Sequence, residues 1–231
     1  MAKTSTLLDI FRSQSTVLSF KEILLSSKKP NAKLLKRRLN YYVKKGDLYA
    51  IRRGLYTKDK NYDRKEVATK IFTPAYVSFE TILFEQAIIF QFYSTIFVAT
   101  YQTKDIECDG QRYSFKKLKD TLLIDTTGVE DMGNYFAATK ERAYLDMLYL
   151  NNDYYLDNPS DLDFDKIFSI LPIYKNKRIE KVVKKLFNAL HEEEEYMLSV
   201  KDCDCKTNKY VLKDLHDETE TVYLLKMKSE S

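Results

Sequence analysis

Apolar residues recur at changing spacings along the first sixty positions, and each change of spacing marks a change of element. Leu7, Leu8 and Phe11 share one face of a helix that Thr6 can cap. A short apolar break at Val17 and Leu18 follows, and then Ser19 and Glu22, three apart, form a capping box opening a second helix over "FKEILLSS". Pro30 cannot lie inside that helix, so "KKPN" is a turn; Asn31 is a good N-cap for a third helix that runs to Lys45 and stops at Gly46. From Leu48 to Lys58 the spacing shortens to that of a strand, with Arg53-Gly54 as the turn between "LYAIR" and "LYTK". Helix, helix, turn, helix and hairpin, in that order, predict a winged helix-turn-helix.

At 3.6 residues per turn, Leu35, Leu39 and Tyr42 share one face of the third helix, with Val43 at its edge. Lys33, Lys36, Arg37, Asn40 and Lys44 fall within an arc of about 100° on the other. A basic outer stripe is usually just a solvated face. Here the preceding helix, the turn lysines Lys28 and Lys29, and the hairpin carrying Arg52 and Arg53 point instead to a surface that reads DNA. In such a module Arg and Lys read guanine edges in the major groove, Asn reads adenine, and the wing lies beside a phosphate backbone or minor groove. The predicted contact set is Lys28, Lys29, Asn31, Lys33, Lys36, Arg37, Asn40, Lys44, Arg52 and Arg53. Tyr41, Tyr49 and Tyr56 read as packing residues with a wet hydroxyl rather than base-stacking platforms.

Beyond Lys60, "RKEVATKIF" is a short helix broken by Pro74, and Ser78 in "AYVSFETILFEQAII" is placed to cap another. "STIFVATYQ" and "DIECDGQRYSF" read as strands, the latter folded at Asp109-Gly110, and "TLLIDTTG" reads as a further strand. Thr139 caps a helix over "TKERAYLDMLYL", in which Arg142 and Asp146 are spaced for an i,i+4 surface pair. "KNKRIEKVVKKLFNAL" is a long amphipathic helix. The fold expected is α+β: a winged helix-turn-helix over residues 1–60, then a larger mixed α/β domain over 61–231.

Charge divides the chain at the same place. Residues 1–60 carry fifteen Lys and Arg against four acids, a net +11, whereas the other 171 residues carry 23 bases against 30 acids, a net −7. That asymmetry is the footprint of a nucleic-acid-binding module joined to a body with another task. At 231 residues with 44% hydrophobic positions the chain can fill a core. Its apolar runs are too short to span a bilayer and its N-terminus lacks a signal-peptide pattern, so a cytoplasmic protein without a membrane partner is expected. Cys108, Cys203 and Cys205 form an odd set best read as reduced thiols.

The chain offers little that resembles catalytic machinery. His191 precedes "EEEE" without the second histidine of a zinc-protease helix, and the glycines are scattered singly, leaving no phosphate loop. Cys203, Cys205 and His216 fall one ligand short of a zinc site, and Asp161, Asp163 and Asp165 lack the glycine and terminal glutamate of a calcium loop. No enzyme activity, cofactor or metal is expected.

Three stretches, in order, resemble the AbiEi family, the antitoxin component of AbiE-type (type IV) toxin-antitoxin systems. "GDLYAIRRGLYTK" resembles the family's wing, "AYVSFETIL" the start of its second domain, and "FAATKERAYLDMLYL" its ERA-containing helix, matching at Glu141, Arg142, Ala143 and Asp146. The resemblance implies an N-terminal winged helix that binds inverted repeats in its own promoter and represses its operon. It further implies a C-terminal domain, with Ser78, Glu141, Arg142 and Asp146 as its motif residues, that counters a nucleotidyltransferase-like toxin without a stable complex. "FEQAIIF" stands where the family pattern has a His-Gly pair, and residues from Asn151 onward match none of its motifs. The competing expectation is a stand-alone regulator whose second domain senses a ligand or mediates assembly.

Overall fold

Val17 and Leu18, expected to be a break between helices, form a strand instead. In a computed structural model that describes residues 15–26, 31–201, 210–212 and 221–223, with side chains as far as residue 192, β1 (Val17–Ser19) pairs antiparallel with β3 (Leu55–Thr57). On its other edge β3 pairs with β2 (Tyr49–Arg52), giving the order β1-β3-β2. The helix expected from Thr6, the turn with Lys28, Lys29 and Pro30, and Cys203, Cys205 and His216 lie outside the described residues.

Helix α1 (Phe20–Ser26) opens with the predicted capping box: Glu22 N–H donates to Ser19 Oγ at 3.1 Å, and Ser19 N–H donates to Glu22 Oε2 at 2.8 Å. Helix α2 (Ala32–Lys45) starts at Asn31, whose side chain accepts from Leu34 N–H at 2.9 Å, and ends at Gly46 with φ +84°. That left-handed conformation is open to glycine at little cost, which is why the helix stops there.

Alternation along β1 and β3 explains how this small sheet is held. Leu18 and Tyr56 face α1 and α2, in a cluster with Ile23, Leu35, Leu39 and Leu48. Their neighbours Val17 and Leu55 point the opposite way, into a cluster with Val67, Ala68, Val98, Tyr113 and Phe115 of the body. Each fully buried aliphatic side chain contributes about 1.5–3 kcal/mol, so both faces of the sheet are used in packing. Near residue 60, where the charge changes sign, the two parts therefore share a core.

Polar contacts reinforce the join. In α3 (Arg64–Ile71) the buried Glu66 carboxylate accepts from Thr16 N–H at 3.0 Å, Thr16 Oγ1 at 2.5 Å, Val17 N–H at 3.1 Å and the Ser15 hydroxyl, with Lys70 Nζ 3.0 Å away. These hydrogen bonds and Lys70 hold its carboxyl below the usual glutamate range although burial pushes the other way.

The body is built on a six-stranded sheet, in the order β6 (Lys104–Cys108), β7 (Gln111–Lys117), β5 (Ile96–Thr100), β4 (Ala75–Val77), β9 (Phe136–Ala138), β8 (Val129–Asp131). The β5/β7 and β4/β9 pairs are parallel and the rest antiparallel. Asp109 and Gly110, with φ +49° and +71°, make the predicted two-residue turn between β6 and β7. "TLLIDTTG" is not a strand: Asp120–Ile124 form a short helix, α5, that buries Leu122 and Leu123.

Helix α4 (Glu80–Glu85) begins without a side-chain cap, so Ser78 does not have the capping role expected of it. Helix α6 (Lys140–Leu150) is capped as predicted by Thr139 Oγ1, which accepts from Arg142 N–H at 3.2 Å, and every residue from Glu141 to Leu148 is buried. Helix α7 (Phe164–Ile170), capped by Asp163, and a short 3-10 turn (Leu171–Tyr174) follow. The chain divides into two compact units at Ile179/Glu180, within α8 (Lys177–Lys201); in the second unit β10 (Tyr210–Leu212) and β11 (Thr221–Tyr223) pair antiparallel.

Candidate functional site

Helix α2 separates its residues as the 3.6-residue period requires. Leu35 and Leu39 are buried and Tyr42 and Val43 half-buried, while Lys33, Lys36, Arg37, Asn40 and Lys44 are all exposed. None of these five is in an ion pair among the described residues, whereas Lys45, at the flank, is 3.1 Å from Asp47. Asn31 is exposed but its side-chain oxygen is occupied by the helix cap. A two-residue turn at Arg53-Gly54, the latter with φ +85°, closes the β2–β3 hairpin, and a bulge at Ile51 shifts its register. Arg52 and Arg53 are exposed at this tip. Phe20 N–H donates to Gly54 O at 2.7 Å, fixing the tip against the start of α1.

The tyrosines differ from expectation. Tyr56 is buried as a packing residue, but Tyr41 is 60% exposed and Tyr49 is 38% exposed. Tyr41 follows Arg37 by one helical turn and so borders the basic face, and Lys60 Nζ lies 5.7 Å from the Tyr49 ring centre. Two aromatic faces thus lie among cations rather than in the core.

Three of the four motif residues of the body, Ser78, Arg142 and Asp146, come together in its interior. Arg142 and Asp146, expected to form a surface pair, are both fully buried, with Nε and Oδ1 3.2 Å apart. Neither side chain has any solvent exposure, so i,i+4 spacing is met here by a desolvated pair. Asp146 Oδ1 also accepts from Tyr174 OH at 2.6 Å, and Oδ2 accepts from Ser78 Oγ at 2.8 Å and Tyr76 OH at 2.9 Å. Arg142 donates to Thr127 O at 2.8 Å, Leu122 O at 2.7 Å and Tyr76 OH at 3.1 Å. Burial pushes the Asp146 carboxyl up, opposed by the guanidinium and the three hydroxyls. The same burial works against the Arg142 charge, but Asp146 and the two phenols outweigh it and keep its pKa raised.

This arrangement leaves no open coordination for a substrate: donors and acceptors are spent on one another, linking α6 to β4, to the turn before β8 and to the turn before α8. Glu141, 2% exposed, points elsewhere and accepts from Asp163 N–H at 3.4 Å. Tyr76 and Tyr174 were absent from the predicted set. Tyr76 was findable, since it lies two residues before Ser78 and therefore on the same face of the chain, whereas Tyr174 is brought in by tertiary packing alone. Among the described residues no cluster of His, Cys, Asp or Glu is arranged to hold a metal, and no helix is long and apolar enough to cross a membrane.

No protein-family model matches the sequence, and no curated protein is significantly similar to it.

Proposed function

We propose that this protein binds double-stranded DNA through a winged helix-turn-helix within its first sixty residues, with α2 as recognition helix and the β2–β3 hairpin as wing. The observation that carries this reading is the row of Lys33, Lys36, Arg37, Asn40 and Lys44, exposed together on the face of α2 opposite Leu35 and Leu39. It supplies the residue types that read guanine and adenine edges, and Arg52 and Arg53 supply cations for the phosphates beside them. The local net charge of +11 adds the sequence-independent attraction on which such binding depends.

The AbiEi-like stretches extend the proposal: the DNA is a set of inverted repeats in the protein's own promoter, which it represses, and the body counters a nucleotidyltransferase-like toxin. The task is one of binding rather than catalysis, carried out in the cytoplasm. Support for a scaffold role in the body comes from the Arg142–Asp146 node, whose groups are satisfied internally.

A gel-shift assay at moderate salt tests the repressor half, since nonspecific binding is suppressed there. A fragment of the protein's own promoter is expected to shift at concentrations that leave random DNA free; equal behaviour of the two fragments would refute it. Rescue of growth on co-expression with the neighbouring nucleotidyltransferase-like gene tests the antitoxin half, and absence of rescue would refute that.

A further inference from the structure

A concavity of about 280 Å³ opens on the body where α4 begins, alongside β7 and the end of α6. Phe79, Met147 and Leu150 supply apolar lining, and Glu80, Lys116, Asn151 and the exposed Lys117 supply polar groups. Three features mark this place.

Phe79 has φ +58° and ψ −141°, a conformation that non-glycine residues rarely adopt and that costs on the order of 1–3 kcal/mol. It is held from both sides: Ser78 N–H donates to Phe97 O at 3.2 Å, and Phe79 O accepts from Ile82 and Leu83 N–H at 3.1 and 3.0 Å. This backbone turn keeps the Phe79 side chain 1% exposed and puts Glu80 into the lining directly after it.

Glu80 is half-buried yet forms no ion pair among the described residues, and burial pushes its carboxyl up against the opposing pull of its own backbone N–H and Lys116. Lys116 forms no ion pair either; its ammonium lies 5.8 Å from the centre of the Phe97 ring. An acid and a base thus line one cavity without forming an ion pair, beside apolar side chains. A carboxylate partly removed from water gains most from a cation in direct contact, and among the described residues Glu80 makes no such contact.

We propose that this cavity binds a small zwitterion, a free α-amino acid with an apolar side chain. The ligand ammonium meets Glu80, the ligand carboxylate meets Lys116 and the second N–H of the Asn151 amide, whose other N–H donates to Met147 Sδ at 2.9 Å, and the side chain lies against the exposed Leu150. A ligand bearing a single charge satisfies only one of the two groups and leaves the other desolvated. The volume is below the range that holds drug-sized molecules, which fits a ligand of this size. The inference is independent of DNA binding, because the site lies wholly in the body and is read out by ligand binding alone.

Calorimetric titration and thermal unfolding of the full-length chain with leucine, methionine and phenylalanine test it. At least one is expected to bind saturably with a Kd on the order of 0.1–1 mM and to raise Tm with the logarithm of its concentration. N-acetyl-leucine, which lacks the ammonium, and leucine amide, which lacks the carboxylate, are each expected to bind about tenfold more weakly or worse, a difference of about 1.4 kcal/mol. Glu80→Gln and Lys116→Met should give similar losses while leaving the ligand-free Tm within about 2 °C. Absence of both heat and Tm shift with all three amino acids would overturn the proposal. So would undiminished binding of N-acetyl-leucine, or of leucine by Glu80→Gln.

Discussion

Arg142 and Asp146 stand one turn apart on α6, 3.2 Å from each other, with neither side chain exposed to solvent. The same spacing on a helix surface contributes a few tenths of a kcal/mol. Burial changes its meaning, because each charge now depends on the other and on the hydroxyls of Tyr76, Ser78 and Tyr174. The body is pinned by a polar node at its centre.

Breaking that node from one side strands a charge. Asp146→Asn or Arg142→Met is expected to lower stability by about 3–5 kcal/mol in urea unfolding. Arg142→Met combined with Asp146→Leu is expected to cost much less than the sum of the single changes, since it removes both charges together. Strict additivity would show that the two do not act as a pair.

Gly128 has φ +73°, and a Cβ there would stand 2.8 Å from Ile170 Cδ1 and 3.0 Å from Arg142 Cβ. Gly128→Ala therefore meets both backbone strain and a collision with the node, and should cost about 3 kcal/mol or more. Gly110→Ala, at φ +71° with nothing within 4 Å of the added atom, should cost only the strain, about 1–2 kcal/mol. Equal losses at the two sites, by thermal unfolding, would contradict the packing described around Arg142.

Glu66 makes a pH prediction whose sign is fixed by its hydrogen bonds. Its folded-state pKa is lowered, so its contribution is present above the unfolded value near 4.3 and is lost as pH falls through the folded value. Glu66→Gln is expected to cost about 2 kcal/mol at pH 7, through the lost charge opposite Lys70 and the weaker bonds to Thr16 and Val17. The gap between wild type and variant should narrow as the pH is lowered below about 4. A gap constant with pH would contradict a role for the ionised carboxylate.

Elements set by local chemistry were legible in the sequence. Asn31 and Gly46 delimit α2 through bonds made within a few residues, Ser19 and Glu22 open α1 in the same way, and Asp109-Gly110 announces its turn through backbone preference. Elements set by distant partners were not. β1 is three residues long and owes its existence to Leu55–Thr57, and "TLLID" has too few residues for its period to be distinguished from a strand's. Exposure was the other hidden quantity: i,i+4 spacing describes Arg142 and Asp146 equally well on a surface or in a core, and only the tertiary packing puts them inside and leaves Tyr41 and Tyr49 out.

The central claim is that the outer face of α2 reads base sequence and the hairpin tip holds the backbone. Fluorescence anisotropy of wild type, Arg37→Ala, Asn40→Ala and Arg53→Ala on promoter and scrambled DNA, across a salt series, tests it most directly. Arg37→Ala and Asn40→Ala are expected to reduce the preference for promoter DNA by about 1–3 kcal/mol each. Arg53→Ala should weaken binding to both DNAs alike and flatten the salt slope by about one. Equal losses on both DNAs for all three variants, or no preference for promoter DNA in the wild type, would contradict the account.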